Sequence, residues 1–276
     1  MKFYLSSFNR ATDGALSKLI SKLKDKDMYT KNYKDADYIV AIADRTETFD
    51  FIVEQFKENR KIIHLWAGEK SSWATHDDVW RHSMTLMSMM QLCTNWSAKV
   101  RVERLCKSVG KTSNVHIIGN IFYDNLEFDD SKVPNEPYDL ILYNPPTRFT
   151  KKEVLEELKT IKDILDKSNK KYVWIEPNGD MFSGLVSKYV THFTFPRPQF
   201  LSLMKNCDKF ITNSSCQYFE GSLLLKPKQI ISIGKRNITR ESKYSDMKIK
   251  NASDNIIKLF EELKNENTVI QDRLDI

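Results

Sequence analysis

FITNSSCQYFEGSLLLKPKQIISIGKRNITRE, residues 210–241, is the stretch whose reading decides the fold. Its start, Phe210-Ile211-Thr212, reads as a short strand, and Asn213-Ser214-Ser215 as a polar step into a helix. Lys226-Pro227 stops that helix. A second strand follows, and Gly234 opens a basic loop carrying Lys235, Arg236 and Arg240. Strand, helix and strand in quick succession are the repeating unit of a parallel α/β sheet. A helix start just after a strand offers backbone N–H groups and the positive end of the helix dipole to an anion. Glu220, about a turn and a half further on, is placed to accept from a sugar diol. Anion cradle, diol acceptor and guanidiniums together suit a nucleoside diphosphate. Taken alone, the Asn/Ser step is equally an ordinary N-cap.

The run N-S-S-x-x-x-x-E, then K-P, then I-x-I-G-x-R-N-x-x-R resembles the nucleotide-binding segment of UDP-N-acetylglucosamine 2-epimerases, the hydrolysing branch above all. The resemblance implies that Ser214 and Ser215 meet the diphosphate, Glu220 the ribose, and Arg236 or Arg240 the leaving-group side, with Asn213 among the nucleotide-binding residues. It also implies the family's GT-B-like fold, two facing Rossmann-like domains with a cleft between them.

Composition agrees with a chain of this kind. At 276 residues, 41% hydrophobic and 11% aromatic, it fills one large domain or two medium ones. No run approaches the ~20 apolar residues of a membrane span. The N-terminus turns polar after five residues and does not read as a signal peptide. Cys93, Cys106, Cys207 and Cys216 are widely spaced, so reduced thiols and a cytoplasmic location are expected. The net charge of +6 suits an anionic ligand, and no dense basic block marks a nucleic-acid face.

Outward from the organising stretch, the first half carries further matches. Residues 2–6 read as a strand and 14–24 as a helix. Between them, Arg10 and Asp13 resemble the family's first loop, without its glycine. Residues 38–43 (YIVAIA) are a continuous apolar run, as in a buried parallel strand. Asp44-Arg45-Thr46-Glu47 follows at its carboxyl end. Asp44 is either an N-cap with Glu47 completing a capping box or a ligand-side residue of the family's G-D-R-x-E loop, with Ala43 for the glycine. Strand 61–65 ends in His64-Leu65-Trp66-Ala67-Gly68-Glu69, similar to H-x-H-G-G-E with Trp66 for the second histidine. Asp77-Asp78 opens a helix expected over 79–92 that carries Arg81-His82-Ser83 and Thr85. It resembles the family's D-(D/E)-x-x-R-H-(A/S)-x-T-x-x-S. Only 13 residues, 25–37, stand where relatives carry a further βαβ element, so the N-terminal domain is expected to be reduced.

Polar, proline-bearing residues 129–138 set the expected boundary between domains 1–130 and 131–276. Strand 139–143 then leads to Asn144-Pro145-Pro146-Thr147, where the family has Y-H-P-x-T. Asn144 donates a hydrogen bond but carries no proton for transfer. A helix over 150–167, a strand over 171–175, the Pro177-Asn178-Gly179-Asp180 turn, a strand over 191–195 and a helix from Phe200 complete the order. The last helix, over about 252–265, is of a kind that packs back across the cleft in such folds.

The resemblance implies an elimination in which a carboxylate among Asp44, Glu69 and Asp78 takes the C2 proton as UDP leaves C1. Arg10, Arg81, His82, Asn144, Asn178 and Asp180 fall at substrate-contacting positions. Hydrolysis would then give N-acetylmannosamine. No cofactor is implied, and the five histidines lack metal-ligand spacing. The partner is a nucleotide sugar, with self-association permitted and no membrane. The rivals are a glycosyltransferase on the same architecture, the one case that admits a nucleic-acid acceptor, and a nucleotide-sugar-binding relative without turnover.

Overall fold

The computed structural model describes residues 1–7, 10–71, 75–179, 181–192, 194–237 and 251–265, without the side chains of 10–13, 264 and 265. The chain divides into two compact units. The first comprises 1–70, 77–125 and 241–276, and the second 71–76 and 126–240.

In the first unit, strands and helices alternate: β1 (Phe3–Ser6), α1 (Arg10–Asp25), β2 (Tyr38–Ile42), α2 (Thr46–Lys57), β3 (Ile62–Leu65), α3 (Asp77–Met87), β4 (Met90–Cys93), α4 (Trp96–Ser108) and β5 (Val115–Ile117). The sheet is parallel throughout, in the order β1-β2-β3-β4-β5. All five residues of β2 are buried, as the unbroken apolar run requires when both sheet faces are covered. The expected helix over 79–92 ends at Met87, and Met90–Cys93 is instead strand β4. A short, mostly apolar segment suits a helix end and a buried strand alike, and here pairing with β3 and β5 decides.

The shortened segment 25–37 takes a simple route. After α1, Tyr29 makes a single parallel bridge to Phe3 on the outer edge of β1. Met28 O accepts from Phe3 N at 2.8 Å, and Phe3 O accepts from Thr30 N at 3.1 Å. The chain then passes to the other edge of β1 and enters β2, where Tyr38 pairs with the same Phe3. One bridge thus stands in for a strand, and the direction of winding reverses at β1. That reversal makes the carboxyl ends of β1 and β2 a topological switch point, where open α/β sheets bind ligands.

The second unit holds β6 (Tyr138–Leu142), α5 (Lys151–Ser168), β7 (Lys171–Ile175), α6 (Ser183–Ser187), α7 (Arg197–Asn206), β8 (Lys209–Thr212), α8 (Cys216–Phe219), α9 (Gly221–Leu224) and β9 (Ile230–Ser232). Its parallel sheet runs β7-β6-β8-β9, so its own switch point lies between β6 and β8. Thr150 and Glu153 form a reciprocal capping box that starts α5. Val154, Leu158 and Ile161 of that helix pack on Ile141, Trp174 and Ile211. Leu203 and Met204 of α7 pack on Tyr138, Leu140 and Phe210 from the other face. The strand expected over 191–195 is absent from the described residues there, where His192 makes one bridge to Ile175.

The terminal helix, α10 (Ala252–Asn265), belongs to the first unit rather than to 131–276, and the boundary falls after Asn125. The cause is local. Asp124 accepts from the backbone N–H groups of Ala252 (3.1 Å) and Ser253 (2.5 Å) at the start of α10. Phe260 stacks on Phe3, with ring centroids 3.9 Å apart. Ion pairs join α10 to α1 through Lys22–Asp254 and to the residue just after α1 through Lys26–Glu261. Neighbouring Tyr4 points to the opposite face of the sheet and meets Phe51 of α2.

Candidate active-site residues in the two units

In the first unit the loops after β2 and β3 meet the start of α3. Ala43 and Trp66, each just past a strand, have φ of +63° and +67°, and Gly68 has +75°. A Cβ on Gly68 would lie 2.3 Å from Ala98 O, so only glycine lets this turn approach α4. These left-handed steps turn the chain back sharply and set Asp44 and Glu69 beside α3.

Arg81 gathers the group. It is 3% exposed and its guanidinium reaches the carboxylates of both Asp44 and Asp78, the latter at 2.5 Å, and donates to Glu69 O at 3.0 Å. Asp44 is therefore no helix cap. The N-cap of α2 is Arg45, which makes no side-chain cap bond, and Glu47 pairs with Arg45. Glu69 Oε1 accepts from the Thr94 hydroxyl and, at 3.3 Å, from Asn95 Nδ2. Thr94 and Asn95 were not foreseen from the sequence. They sit at the carboxyl end of β4, the strand hidden inside the expected helix. The detectable signal was Asn95 as N-cap of α4, where it accepts from Ala98 N at 2.9 Å.

His82 is half-buried, and burial, reinforced by the charges of Arg81, Arg101 and Lys70, holds its pKa down to about 4. His64 is fully buried between Thr85 Oγ1 (3.0 Å) and Ala43 O (3.2 Å), and burial lowers it to about 4 as well. Both are neutral near pH 7, so His64 donates its one N–H to the Ala43 carbonyl. Trp66, in place of the second histidine, is buried and stacks on Phe122 at 5.1 Å. It is a wall, with no proton to transfer at this position.

In the second unit, Asn144 and Asn213 tie β6 to β8 across the switch point. Asn213 Oδ1 accepts from Asn144 N (2.9 Å), and its Nδ2 donates to Asn144 O (2.7 Å). Both ends of the Asn213 amide are thus used in scaffolding. Asn144 Oδ1 accepts from Asn178 N at 2.8 Å, which draws the β7 loop in. Arg236 donates to Asn144 O at 3.2 Å, and Asn237 Nδ2 to Asn213 O at 2.6 Å, so the basic loop is anchored at the same place.

The expected single helix after Ser215 is two four-residue helices, α8 and α9, with Glu220 at the joint. So short a helix has little dipole. Ser214 N already donates to Thr212 Oγ1 (2.9 Å), and Cys216 N to Ser214 Oγ (3.4 Å). Any anion site here rests on half-buried Ser214 and Ser215 and on Arg236 more than on a helix end. Glu220 is 3% exposed. Its Oε1 accepts from Arg197 Nη1 at 2.6 Å, while its buried Oε2 has no hydrogen-bond partner among the described residues.

Glu157 on α5 was likewise not foreseen. It accepts from the Tyr143 hydroxyl at 2.7 Å and from the backbone N–H of Lys235. Burial raises its pKa, while these two bonds and the charge of Arg236 oppose that shift. The side chain of Arg10, together with Asp180 and Arg240, lies outside the described residues. Among the described residues no cluster of three His, Cys, Asp or Glu could hold a metal, and no helix is long and apolar enough to cross a membrane.

Comparison with known proteins agrees with this layout. The structure of an S. aureus MnaA–UDP complex superposes with a TM-score of 0.62 at 14% identity, covering 96% of this chain and 88% of that one. A Methanocaldococcus jannaschii UDP-GlcNAc 2-epimerase, solved with UDP-GlcNAc and UDP, gives 0.62 at 15% identity over 93% and 82%. The Neisseria meningitidis UDP-GlcNAc 2-epimerase bound to UDP-GlcNAc gives 0.61 at 14% over 93% and 83%. These likenesses establish the GT-B-like α/β fold. Polysialic acid biosynthesis protein P7 of Escherichia coli is 26% identical over 180 residues, 60% of this chain and 44% of that protein, so the match spans less than half of that relative. The family model described as UDP-N-acetylglucosamine 2-epimerase matches residues 2–274. With its motifs at the carboxyl ends of two parallel sheets and that match along nearly its whole length, the chain belongs to the UDP-N-acetylglucosamine 2-epimerase family.

Proposed function

We propose that this protein binds UDP-N-acetylglucosamine, eliminates UDP from C1 as a carboxylate removes the C2 proton, and hydrates the product to N-acetylmannosamine. The observation that carries this reading is the gathering of Asp44, Asp78 and the Glu69 loop on one buried arginine. Taking the C2 proton from so weak a carbon acid needs a carboxylate held in place, and a second acid must return a proton to C2 from the other face. Asp44, Glu69 and Asp78 are the set from which base and acid come. Asn-linked Arg236, with Ser214 and Ser215, stabilises the charge that develops on departing UDP. Glu220, with its unpartnered buried Oε2, accepts from the ribose.

A second reading, transfer of the sugar to an acceptor, is favoured by Asn144. The family's histidine position is filled by a side chain whose oxygen already holds Asn178 N–H. Following UDP-N-acetylglucosamine in D2O by NMR separates the two. Deuterium at C2 of released N-acetylmannosamine is expected. UDP release with C2 still protonated would overturn the elimination and leave transfer or direct hydrolysis.

A further inference from the structure

Arg197 lies outside the motifs read from the sequence, yet among the described residues its guanidinium is what donates to the Glu220 carboxylate. It is the first residue of α7, its side chain is 11% exposed, and that of Glu220 is 4% exposed. The two are 23 residues apart and approach only because α7 packs beside the α8–α9 joint. A carboxylate turns about a broad, two-fold torsion, so an unheld Glu220 would sample several orientations. Arg197 Nη1 on Oε1 fixes one orientation and leaves Oε2 buried with its acceptor capacity unused. A buried acceptor with its capacity unused is costly, and a ligand that supplies a hydroxyl removes that cost.

We propose that Arg197 is a positioning residue for sugar selection: it holds Glu220 turned toward the ribose hydroxyls and makes the site choose ribo- over 2′-deoxyribonucleoside diphosphates. This rests on the reading that Glu220 meets the ribose, and the test separates the two claims. UDP and 2′-deoxy-UDP are titrated by calorimetry into the parent, Glu220→Gln, Arg197→Gln and Arg197→Lys, with melting recorded for each.

The parent is expected to prefer UDP by about tenfold or more, the size of one hydrogen bond to a charged group. Glu220→Gln should lose most of that preference. Arg197→Gln should bring it to about twofold, and Arg197→Lys, which keeps a cation without the planar fork, should fall between. If removing the Arg197 partner prevents Arg197→Gln from folding, the lysine variant carries the comparison. A parent that binds both ligands equally overturns the Glu220 reading and this proposal with it. A preference lost in Glu220→Gln but intact in the folded Arg197 variants overturns the proposal alone. Equal weakening of both ligands in those variants does the same, because it marks Arg197 as structural support only.

Discussion

Gly234→Ala tests how the basic loop is held. A Cβ there would stand 1.5 Å from Glu157 Oε1 and 2.3 Å from its Cδ, and the backbone has φ of +63°. The left-handed conformation by itself costs alanine about 1 kcal/mol. The carboxylate end of a glutamate could swing aside cheaply, but this one is pinned by Tyr143 Oη and Lys235 N–H. Displacing it forfeits at least one hydrogen bond to a charged group, about 1.5–3 kcal/mol. The expected total is therefore about 2.5–4 kcal/mol. In a Glu157→Ala background the obstruction is gone, and only the backbone cost of about 1 kcal/mol remains. Equilibrium urea unfolding of the parent, both single variants and the double variant measures the coupling, expected near 1.5–3 kcal/mol. UDP titration should show weaker binding for Gly234→Ala, because Arg236 rides on the same loop. An equal penalty in both backgrounds would refute the clamp, as would a cost under 1 kcal/mol in the parent.

Three further outcomes are expected. Glu69→Gln should lower C2 deuterium incorporation by about a hundredfold or more while the protein still unfolds cooperatively; incorporation within threefold of the parent would remove Glu69 from the chemistry. His64 has a folded pKa of about 4, below the ordinary value of 6.5, so the unfolded chain binds more protons between these values. Stability should therefore fall as pH drops from 6.5 toward 4, with His64 contributing up to about 1.4 kcal/mol per pH unit. His64→Gln should flatten that slope in urea unfolding at pH 7, 6 and 5, and an unchanged slope would contradict the buried neutral histidine. Asn144→His should raise turnover and add a histidine limb to the pH profile, at about 1 kcal/mol in stability for the disturbed Asn178 N–H bond. If it stays inactive while the parent glycosylates an added acceptor, transfer replaces elimination.

What could be read along the chain was local. The unbroken apolar run of β2 and the periodicity of α5 mark buried strand and amphipathic helix, because side-chain period follows backbone geometry. That Asp44, Asp78 and Ser214 stand at a strand end or helix start could be read locally, and such positions are where α/β sheets place ligand-side residues. Strand β4 could not be, since its four residues fit a helix end equally until β3 and β5 pair with them. With it went Thr94 and Asn95, whose hold on Glu69 spans some 25 residues. Only folding decided that Asp44 answers Arg81 rather than capping α2, that Asn213 is spent on the Asn144 peptide, and that α10 completes the first unit through Phe260 on Phe3. The physical reason is the same throughout: periodicity and capping signals act within a few residues, whereas these pairings join side chains far apart in sequence that only packing brings within hydrogen-bond or ring-contact distance.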